Sequence, residues 1–425
     1  MAGEHTAYRI VPVSPEVAED FLAVDQAAFF TEPPRRWDEA LGSLDLSRCW
    51  AATSTGGPPF AGIYGSFDMT VTVPAPKGGL HAVPMAGLTW VGVHPDQRRR
   101  GVLSQMIRHH FADLHEQGVA ISGLHASEPT IYGRFGYAVA SLEAVLRLSR
   151  GHRLQAPPAV VAAADAVTTR MVARAGEGVA DQVHTLHSRL TGAALGGVVM
   201  PLQMARNISR DVPEHRRGRE AQQVLLAERD GQVVGFAVFQ RAEKWEHGQP
   251  QGTLTCHEVA AEDAPALLAL ARRLVDFDLT GSVQMQYGSL DDPVLWWGGG
   301  PRAVGTTVHD SLWLRLVDVG AALEQRGLAA PVDIVLDVVD RVCPWNEGRW
   351  RLACAGAGEP ATCERTEEAA DVRLPVPALA SAYAGLRTLA SQGVQGLVEE
   401  VTPGALAALS TAFATDRQPV ASTMF

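Results

Sequence analysis

The sequence predicts a mixed α/β (α+β) protein of several domains. Short apolar runs with strand character alternate with stretches in which apolar residues recur at the spacing of an amphipathic helix. The 425 residues exceed what one hydrophobic core usually supports. A hydrophobic content of 46% with 20% charged residues is typical of globular proteins and excludes the disordered and fibrous classes.

The first domain is predicted to span residues 1–155, with helices and strands in alternation. Apolar residues recur at helical spacing over 15–30 and again over 101–117. One apolar run stops at His94-Pro95, because proline cannot donate to a sheet ladder. The strands predicted from apolar runs are 49–52, 60–67, 69–73, 85–93, 119–124 and 139–148.

Two further domains are predicted, at 156–303 and 304–425. The segment 151–165 is rich in Pro and Ala and separates the first two domains. Residues 223–240 are predicted to form a hairpin, because two apolar runs flank a short polar turn. The other predicted elements are helices at 261–277 and 319–324, strands at 312–316, 332–338 and 350–353, and helical stretches rich in Ala and Leu after them.

Charge and cysteine content limit the partners and the compartment. Lysine plus arginine number 36 against 47 acidic residues, a formal net charge of −11. A surface this acidic repels nucleic acid and anionic membranes, and it serves either a cationic partner or simple solubility. The five cysteines are scattered, which favours reduced thiols over disulfides or a zinc site. No signal segment and no run of the ~20 apolar residues that cross a bilayer is visible, so we expect a cytoplasmic protein.

The strongest local signal is a basic turn before the helix predicted at 101–117. Arg98, Arg99 and Arg100 adjoin Gly101 there. The first turn of a helix leaves N–H groups unpaired and carries partial positive charge, so it attracts phosphate. Guanidinium groups add bidentate contacts to the same anion. The spacing alone fits either such an anion site or a solvated basic turn.

This turn resembles the acetyl-CoA loop of the GCN5-related N-acetyltransferases, or GNAT proteins, whose pattern is Arg/Gln-x-x-Gly-x-Gly/Ala. Here the pattern is Arg98-x-x-Gly101-x-Leu103, so leucine replaces the last small residue. The resemblance implies acetyl-CoA as the co-substrate, and no metal. It assigns to acetyl-CoA the residues Val91, Gly92, Val93, Arg98, Arg99, Arg100, Gly101, Val102, Leu103, Ser104, Ser127 and Glu128.

A second signal is a stretch rich in glycine and aromatic residues that contains Tyr132 and Tyr137. A tyrosine with a pKa of ~10 can donate a proton to a departing thiolate, whose thiol has a pKa of ~8–9. Half-buried core tyrosines with satisfied hydroxyls would give the same pattern. The string Ile-Tyr-Gly-Arg-Phe-Gly-Tyr resembles the Eis (enhanced intracellular survival) branch of the GNAT proteins. That resemblance implies that Tyr132 is the general acid.

The carboxyl-terminal segment gives a third signal. Chain ends commonly fray, but Phe-Ala-Thr-Asp-Arg-Gln-Pro, with a final phenylalanine at Phe425, resembles the Eis terminus. The resemblance covers the whole chain and implies two tandem GNAT-like acetyltransferase domains, the second degenerate, and then a sterol-carrier-protein-like domain whose first strand is 312–316. It also implies a homo-oligomer, hexameric in that family, and the Phe425 carboxylate as general base. It places the acceptor at Asp25, Trp37 and Trp90.

Together these resemblances predict an acetyl-CoA-dependent N-acetyltransferase that acts on primary amines of a cationic small molecule, aminoglycoside-like or polyamine-like. Two alternatives stay open: a protein-lysine N-acetyltransferase, and a non-catalytic protein that binds an apolar ligand in the sterol-carrier-like domain. The basic turn and Tyr132 favour the enzyme. His184 and His187 share an H-x-x-H spacing without an intervening glutamate, which favours a solvated helix face over a metal site.

Overall fold

The fold is described from a computed structural model of the chain. None of the described helices is both long and apolar enough to cross a membrane, and the cytoplasmic location stays a prediction. The predicted acceptor residue Trp37 lies outside the described residues, which are 8–30, 45–54, 57–210, 213–421 and 424–425.

The secondary structure alternates between strands and helices along the whole described chain. The described strands are β1 Ile10–Pro12, β2 Cys49–Thr53, β3 Phe60–Pro74, β4 Leu80–Val93, β5 Ile121–His125, β6 Ala138–Val139, β7 Leu142–Ser149, β8 Thr168–Ala173, β9 Val198–Val199, β10 Gln223–Arg229, β11 Gln232–Ala242, β12 Trp245–Glu246, β13 Gln249–Pro250, β14 Gly252–Ala261, β15 Thr280–Gly288, β16 Thr307–Asp310, β17 Leu312–Leu316, β18 Val332–Val339, β19 Gly348–Cys354, β20 Thr362–Arg365, β21 Val372–Pro375 and β22 Glu399–Glu400. The described α-helices are α1 Ala18–Phe29, α2 Val102–Glu116, α3 Pro129–Tyr132, α4 Pro158–Ala164, α5 Val179–Leu190, α6 Leu202–Ile208, α7 Ala264–Val275, α8 Pro293–Trp297, α9 Val319–Gln325, α10 Val376–Tyr383, α11 Leu389–Val394 and α12 Ala405–Ala412. Short 3-10 turns lie at Pro15–Val17, Leu46–Arg48, Pro95–Gln97, Gly133–Phe135 and Pro213–Arg216.

The first sheet runs in the order β1-β2-β3-β4-β5-β17-β6, with β9 beside β3. Its strands pair antiparallel except β4 and β5, which are parallel and joined through α2. The predicted apolar face of α2 is buried against the sheet: Met106, Ile107, Phe111 and Leu114 are at most 1% exposed. Burial of that face holds the helix in place, because a helix of this length is only marginally stable on its own.

The second sheet repeats this arrangement. Its order is β16-β7-β15-β14-β11-β10-β8, and β14 and β15 are its parallel pair, joined through α7. The hairpin predicted at 223–240 is confirmed as β10 and β11, which meet at the pair Arg229–Gln232. Asp230 and Gly231 between them both have positive φ, 52° and 75°, as a tight hairpin turn requires.

The third sheet has the order β20-β19-β18-β21-β22. Along the chain, α9 precedes its first strand, α10 and α11 lie between β21 and β22, and α12 follows β22. Its buried face is continuous with the core of the first sheet. A single buried cluster contains Phe21 and Met69 from the first sheet region together with Leu352, Leu379 and Leu409 from the third. The first and third sheets therefore share one hydrophobic core.

The sheets exchange strands across the predicted domain limits. β7 precedes residue 155 but belongs to the second sheet. β17 lies in the first sheet, between β5 and β6, so the expectation that 312–316 is the first strand of the sterol-carrier-like domain is wrong. All five side chains of β17 are buried, which suits a central strand and not the edge of a new sheet. The division at 155/156 and 303/304 stays a prediction.

A buried ion pair fixes β17 to the third domain. The Arg315 guanidinium lies 2.5 Å from the Asp340 carboxylate, and their side chains are 0% and 3% exposed. Asn346 donates to the same carboxylate at 2.9 Å and accepts from the Val319 amide. Removing one partner of such a pair would leave an uncompensated buried charge. The pair therefore holds the third domain in register with the first sheet.

Candidate active site

The cleft of the first domain is a fork between β4 and β5. The two strands pair only at Ala86–Ser122 and Gly87–Gly123. Beyond that point β4 continues to Val93, paired with β3. Because β4 and β5 separate after two pairs, an open fork lies between them, with its base at Gly87.

A β-bulge in β4 opens the fork. Ile63 of β3 faces Gly92, whereas Gly65 faces Thr89, so β4 carries one extra residue between these pairs. Trp90 lies in this bulge and has a φ of 56°. A bulge bends its strand and redirects the side chains around it. The bulge therefore turns the end of β4 away from β5.

The basic turn follows directly and has an unusual backbone. Arg98 is extended, whereas Arg99 and Gly101 have positive φ, 61° and 84°. Gly101 caps the start of α2, and no side chain caps that end. The first N–H groups of α2, from Val102 onward, are therefore open to a ligand. Alternating backbone conformations of this kind make a concave surface of N–H groups that suits an anion.

The three arginines border this concave surface. Arg98, Arg99 and Arg100 are all exposed. The Arg98 guanidinium lies 4.0 Å from the Glu128 carboxylate across the mouth of the fork, and Arg100 donates to the Gln97 side chain at 3.3 Å. Guanidinium groups beside an uncapped helix start can hold a diphosphate.

The remaining residues that the sequence assigned to acetyl-CoA lie around the same cleft. Val91 lies in the bulge beside Trp90, and Gly92 and Val93 follow it. None of the three has a strand partner on the β5 side in the described structure. Val102 is 1% exposed, so it can offer only its main chain. Leu103 and Ser104 are half-buried, and Ser127 is exposed ahead of α3.

The equivalent helix start in the second sheet is closed. The Asp263 carboxylate caps α7 by accepting from the Ala266 amide at 3.0 Å, and it also pairs with Arg229 at 2.8 Å. A carboxylate at that position occupies the open N–H groups and repels an anion. The anion-binding geometry thus belongs to the first sheet and not to its counterpart.

The two candidate tyrosines differ in what their hydroxyls contact. Tyr137 is 1% exposed, and its hydroxyl lies 2.7 Å from Ser122 Oγ, which in turn lies 2.9 Å from His110. Tyr132 is 6% exposed, and its hydroxyl makes no hydrogen bond within the described part of the chain and is not fully buried. Burial, with a smaller effect of Glu128, raises the pKa of Tyr132 to about 12. Tyr132 is the tyrosine available to a ligand.

The last residue of the chain lies at the base of the fork. A Cβ added to Gly87 would lie 3.1 Å from the Phe425 ring. The His125 ring, at the end of β5, stands nearly perpendicular to the Phe425 ring with centroids 5.0 Å apart. Sequence reasoning did not assign Gly87 or His125 to the site. The available signal was a glycine inside an apolar strand, which often marks close approach of another group.

The predicted acceptor residues lie on the α1 side of the fork. Phe21, Asp25 and Ala28 follow one face of α1, because residues three and four apart share a face. The Phe21 ring lies 6.2 Å from the Trp90 ring, and a Cβ on Gly92 would lie 3.3 Å from Ala28. Burial raises the pKa of the half-buried Asp25 to about 6, and no cation pairs with it in the described structure. An unpaired carboxylate near an aromatic ring can hold an ammonium group.

The H-x-x-H pair is occupied by structural hydrogen bonds. His184 Nε2 lies 2.9 Å from the carbonyl of Met200. His187 Nε2 lies 2.7 Å from the Val198 carbonyl, and its Nδ1 lies 2.6 Å from the Glu258 carboxylate. Groups of three potential metal ligands do not occur among the described residues. The solvated helix face favoured by the sequence is therefore wrong for His187, which is buried.

Comparison with known proteins agrees with this geometry. Residues 9–140 and 203–316 each match a family described as an acetyltransferase (GNAT) domain, and residues 319–422 match a sterol carrier protein domain. An uncharacterized N-acetyltransferase of Streptomyces avermitilis is 40% identical over 365 residues, covering 85% of this chain and 86% of that relative. The chain is therefore a GNAT-type N-acetyltransferase.

The chain is also similar to proteins of the Eis branch. The N-acetyltransferase Eis of Mycobacterium tuberculosis is 29% identical over 357 residues, 82% of each chain. The crystal structure of Eis1 from Mycobacterium abscessus superposes with a TM-score of 0.79 at 27% identity, covering 99% of this chain and 100% of that one. A GCN5-related N-acetyltransferase from Anabaena variabilis shares the fold at 19% identity, with a TM-score of 0.81 and coverage of 99% and 100%. Over most of its length the chain is therefore similar to the Eis N-acetyltransferases. The predicted two GNAT domains and sterol-carrier-like domain are confirmed.

Proposed function

We propose that this enzyme transfers the acetyl group of acetyl-CoA to a primary amine of a cationic small molecule, aminoglycoside-like or polyamine-like. One observation carries the proposal. The chain's last residue, Phe425, lies at the base of a fork whose rim is the uncapped, arginine-flanked start of α2. The ring of the last residue and the basic turn thus border one cleft, which supports placing the terminal carboxylate and the cofactor there. The oligomer expected from the resemblance, a hexamer, stays a prediction.

The basic turn would hold the diphosphate of acetyl-CoA. The open N–H groups after Gly101 and the guanidinium groups of Arg98 and Arg99 supply the contacts. The separated edge of β4 at Val91–Val93 would offer main-chain groups to the pantetheine arm. Acetyl-CoA itself supplies the thioester that the amine attacks. Holding both reactants in one cleft lowers the entropic cost of their meeting.

The two proton steps are assigned to Phe425 and Tyr132. The amine must be neutral to attack, and the terminal carboxylate accepts its proton directly or through water. The Tyr132 hydroxyl donates to the departing sulfur. Because the pKa of Tyr132 is raised to about 12, this hydroxyl stays protonated at neutral pH. The departing thiol has a pKa of ~8.5, so complete proton transfer requires the pKa of Tyr132 to fall when the cleft is filled. A hydrogen bond from Tyr132 to the sulfur does not require this fall.

The experiment that tests the function compares three forms of the enzyme in a CoA-release assay: untagged, with a short carboxyl-terminal tag, and with the same tag at the amino terminus. The carboxyl-terminal tag converts the Phe425 carboxylate into an amide, which cannot accept the proton. We expect kcat to fall by roughly 10²-fold in that form alone, with the KM for acetyl-CoA unchanged.

The acceptors in that assay are spermidine, an aminoglycoside and a lysine-containing peptide. Release of CoA with the small polycations in preference to the peptide supports the proposal, and the reverse preference supports a protein-lysine acetyltransferase. Release with none of them would contradict the proposed acceptor class. Full activity of the carboxyl-terminally tagged form would contradict the role of Phe425.

Tyr132 and Tyr137 should respond oppositely to the same substitution. Tyr132→Phe should lower kcat ~10²–10⁴-fold, because it removes the donor to the sulfur, with little effect on thermal stability. Tyr137→Phe removes the buried hydrogen bond to Ser122 and should cost about 1 kcal/mol of unfolding free energy with kcat nearly intact. Steady-state kinetics and thermal unfolding of both variants check this. Equal kcat values would refute the assignment of the acid.

Asp25 should make acceptor binding depend on pH. With a pKa raised to about 6, its carboxylate is ionised above that pH and becomes neutral as the pH falls through 6. The acceptor KM should therefore rise as the pH drops below about 6, since the attraction for a cationic acceptor is lost. Asp25→Asn should raise the acceptor KM at pH 8 and flatten this dependence. Glu19→Gln, on an exposed position of the same helix, is the control, and an identical pH profile in both variants would exclude Asp25.

A further inference from the structure

The segment 192–200, between α5 and α6, docks on the edge of the first sheet; we call it the tail clamp. Its strand β9 pairs with Thr70 and Val71 of β3. The Thr72 amide donates to the Gly197 carbonyl at 2.9 Å, and the Gly196 amide donates to the Thr72 carbonyl at 2.8 Å. The Thr72 hydroxyl, 2% exposed, donates to the Gly192 carbonyl. The tail clamp is therefore fixed to β3 on both sides of a single threonine.

The second domain holds the tail clamp from the other side. His184 and His187 of α5 hydrogen-bond the carbonyls of Met200 and Val198, and His187 is itself held by Glu258 of β14. These are the two histidines of the H-x-x-H pair. Both rings hold main-chain carbonyls of the tail clamp, so the motif has a structural role and does not bind a metal through these nitrogens.

The tail clamp also contacts the carboxyl-terminal segment. The Val420 amide donates to the Leu195 carbonyl at 2.8 Å. Gly196 has a φ of 79°, and a Cβ there would lie 2.8 Å from both the Pro419 side chain and the Val420 nitrogen. Ala421 is 1% exposed. The approach of the two main chains is therefore too close for any residue except glycine.

These contacts fix one end of the segment that leads to Phe425. From Val420, five residues reach at most about 17 Å to the terminus, where the Phe425 ring packs over Gly87. Fixing Val420 limits the reach of the tail, and the ring fixes its end. A displacement of Val420 therefore moves one of the two fixed points between which the tail runs.

We infer that the tail clamp sets the position of the Phe425 carboxylate, and that Gly196, Thr72 and His187 are positioning residues for the acetyl transfer. The inference rests on the proposed role of that carboxylate as the base. The second domain would then affect the rate of acetyl transfer, although its own helix start is closed to an anion. The second domain would then serve the reaction by holding the tail.

The first test replaces Gly196 by alanine in the full-length, untagged enzyme. The added methyl group must displace Pro419 and Val420, so kcat with spermidine should fall roughly 10- to 100-fold, as a displacement near 1 Å can cause. The KM for acetyl-CoA should not change. Gly218→Ala is the matched control, because Gly218 has a φ of 80° and no atom of the described residues lies within 4 Å of an added Cβ. It carries the same backbone strain without touching the tail, and should keep kcat within about twofold.

A second pair of variants covers the case in which Gly196→Ala does not fold. Thr72→Val removes the hydroxyl that donates to Gly192 and should lower kcat, whereas Thr72→Ser keeps the hydroxyl and should restore it. In the carboxyl-terminally tagged enzyme, where the carboxylate is already an amide, Thr72→Val and Gly196→Ala should lower kcat no further. This non-additivity separates positioning from general loss of structure.

The outcomes distinguish the two claims. If the tag lowers kcat but Gly196→Ala matches Gly218→Ala, or Thr72→Val matches Thr72→Ser, the tail clamp inference is overturned and the base assignment stands. If Gly196→Ala and Thr72→Val lower kcat equally in tagged and untagged enzyme, they act by another route, which also overturns it. Full activity of the tagged enzyme would overturn the assignment of the Phe425 carboxylate as the base, and the tail clamp inference with it.

Discussion

The separation of β4 from β5 after two residue pairs is the constraint on which the rest of the site depends. Parallel strands that stayed paired would fill the cleft with their own hydrogen bonds. The bulge at Trp90 prevents this by turning the end of β4 aside. The open fork lets the basic turn lie at its rim and a ring from the chain end lie at its base. Without the bulge neither group would have access to the same space.

The fork also explains why three domains act as one structure. Its base is filled by Phe425, the last residue of the third domain, so the position of that domain must be fixed relative to β4. The buried pair Arg315–Asp340 and the core shared by the first and third sheets provide that. Arg326, fully buried, donates to the carbonyls of Tyr383 and Phe413 and holds the start of the tail. Buried charges with this many partners cannot shift independently.

The sequence predicted those features that depend only on residues close together in the chain. The turn and helix start at Arg98–Gly101 and the hairpin at 223–240 depend on local spacing, and both have the predicted local structure. It could not choose between Tyr132 and Tyr137 from the residues alone, because the difference lies in Ser122, which reaches Tyr137 from another strand. A resemblance supplied that choice.

Features that join distant segments could not be predicted from the residues, because local spacing does not show which segments meet in the fold. The place of β17 in the first sheet, the contact of Phe425 with Gly87, and the tail clamp all join segments far apart in the sequence. The H-x-x-H pair shows the limit clearly: its spacing puts two rings on one helix face, but only the fold shows that their partners are the carbonyls of Val198 and Met200.

A calorimetric titration with acetyl-CoA tests whether the fork of the first sheet is the single cofactor site of the chain. We expect one molecule bound per chain, because Asp263 closes the equivalent helix start of the second sheet. We also expect at least tenfold weaker binding after Arg98→Ala with Arg99→Ala, since each charge-assisted contact contributes about 1.5–3 kcal/mol. Two molecules per chain, or unchanged affinity in the folded double variant, would exclude the fork as the single site.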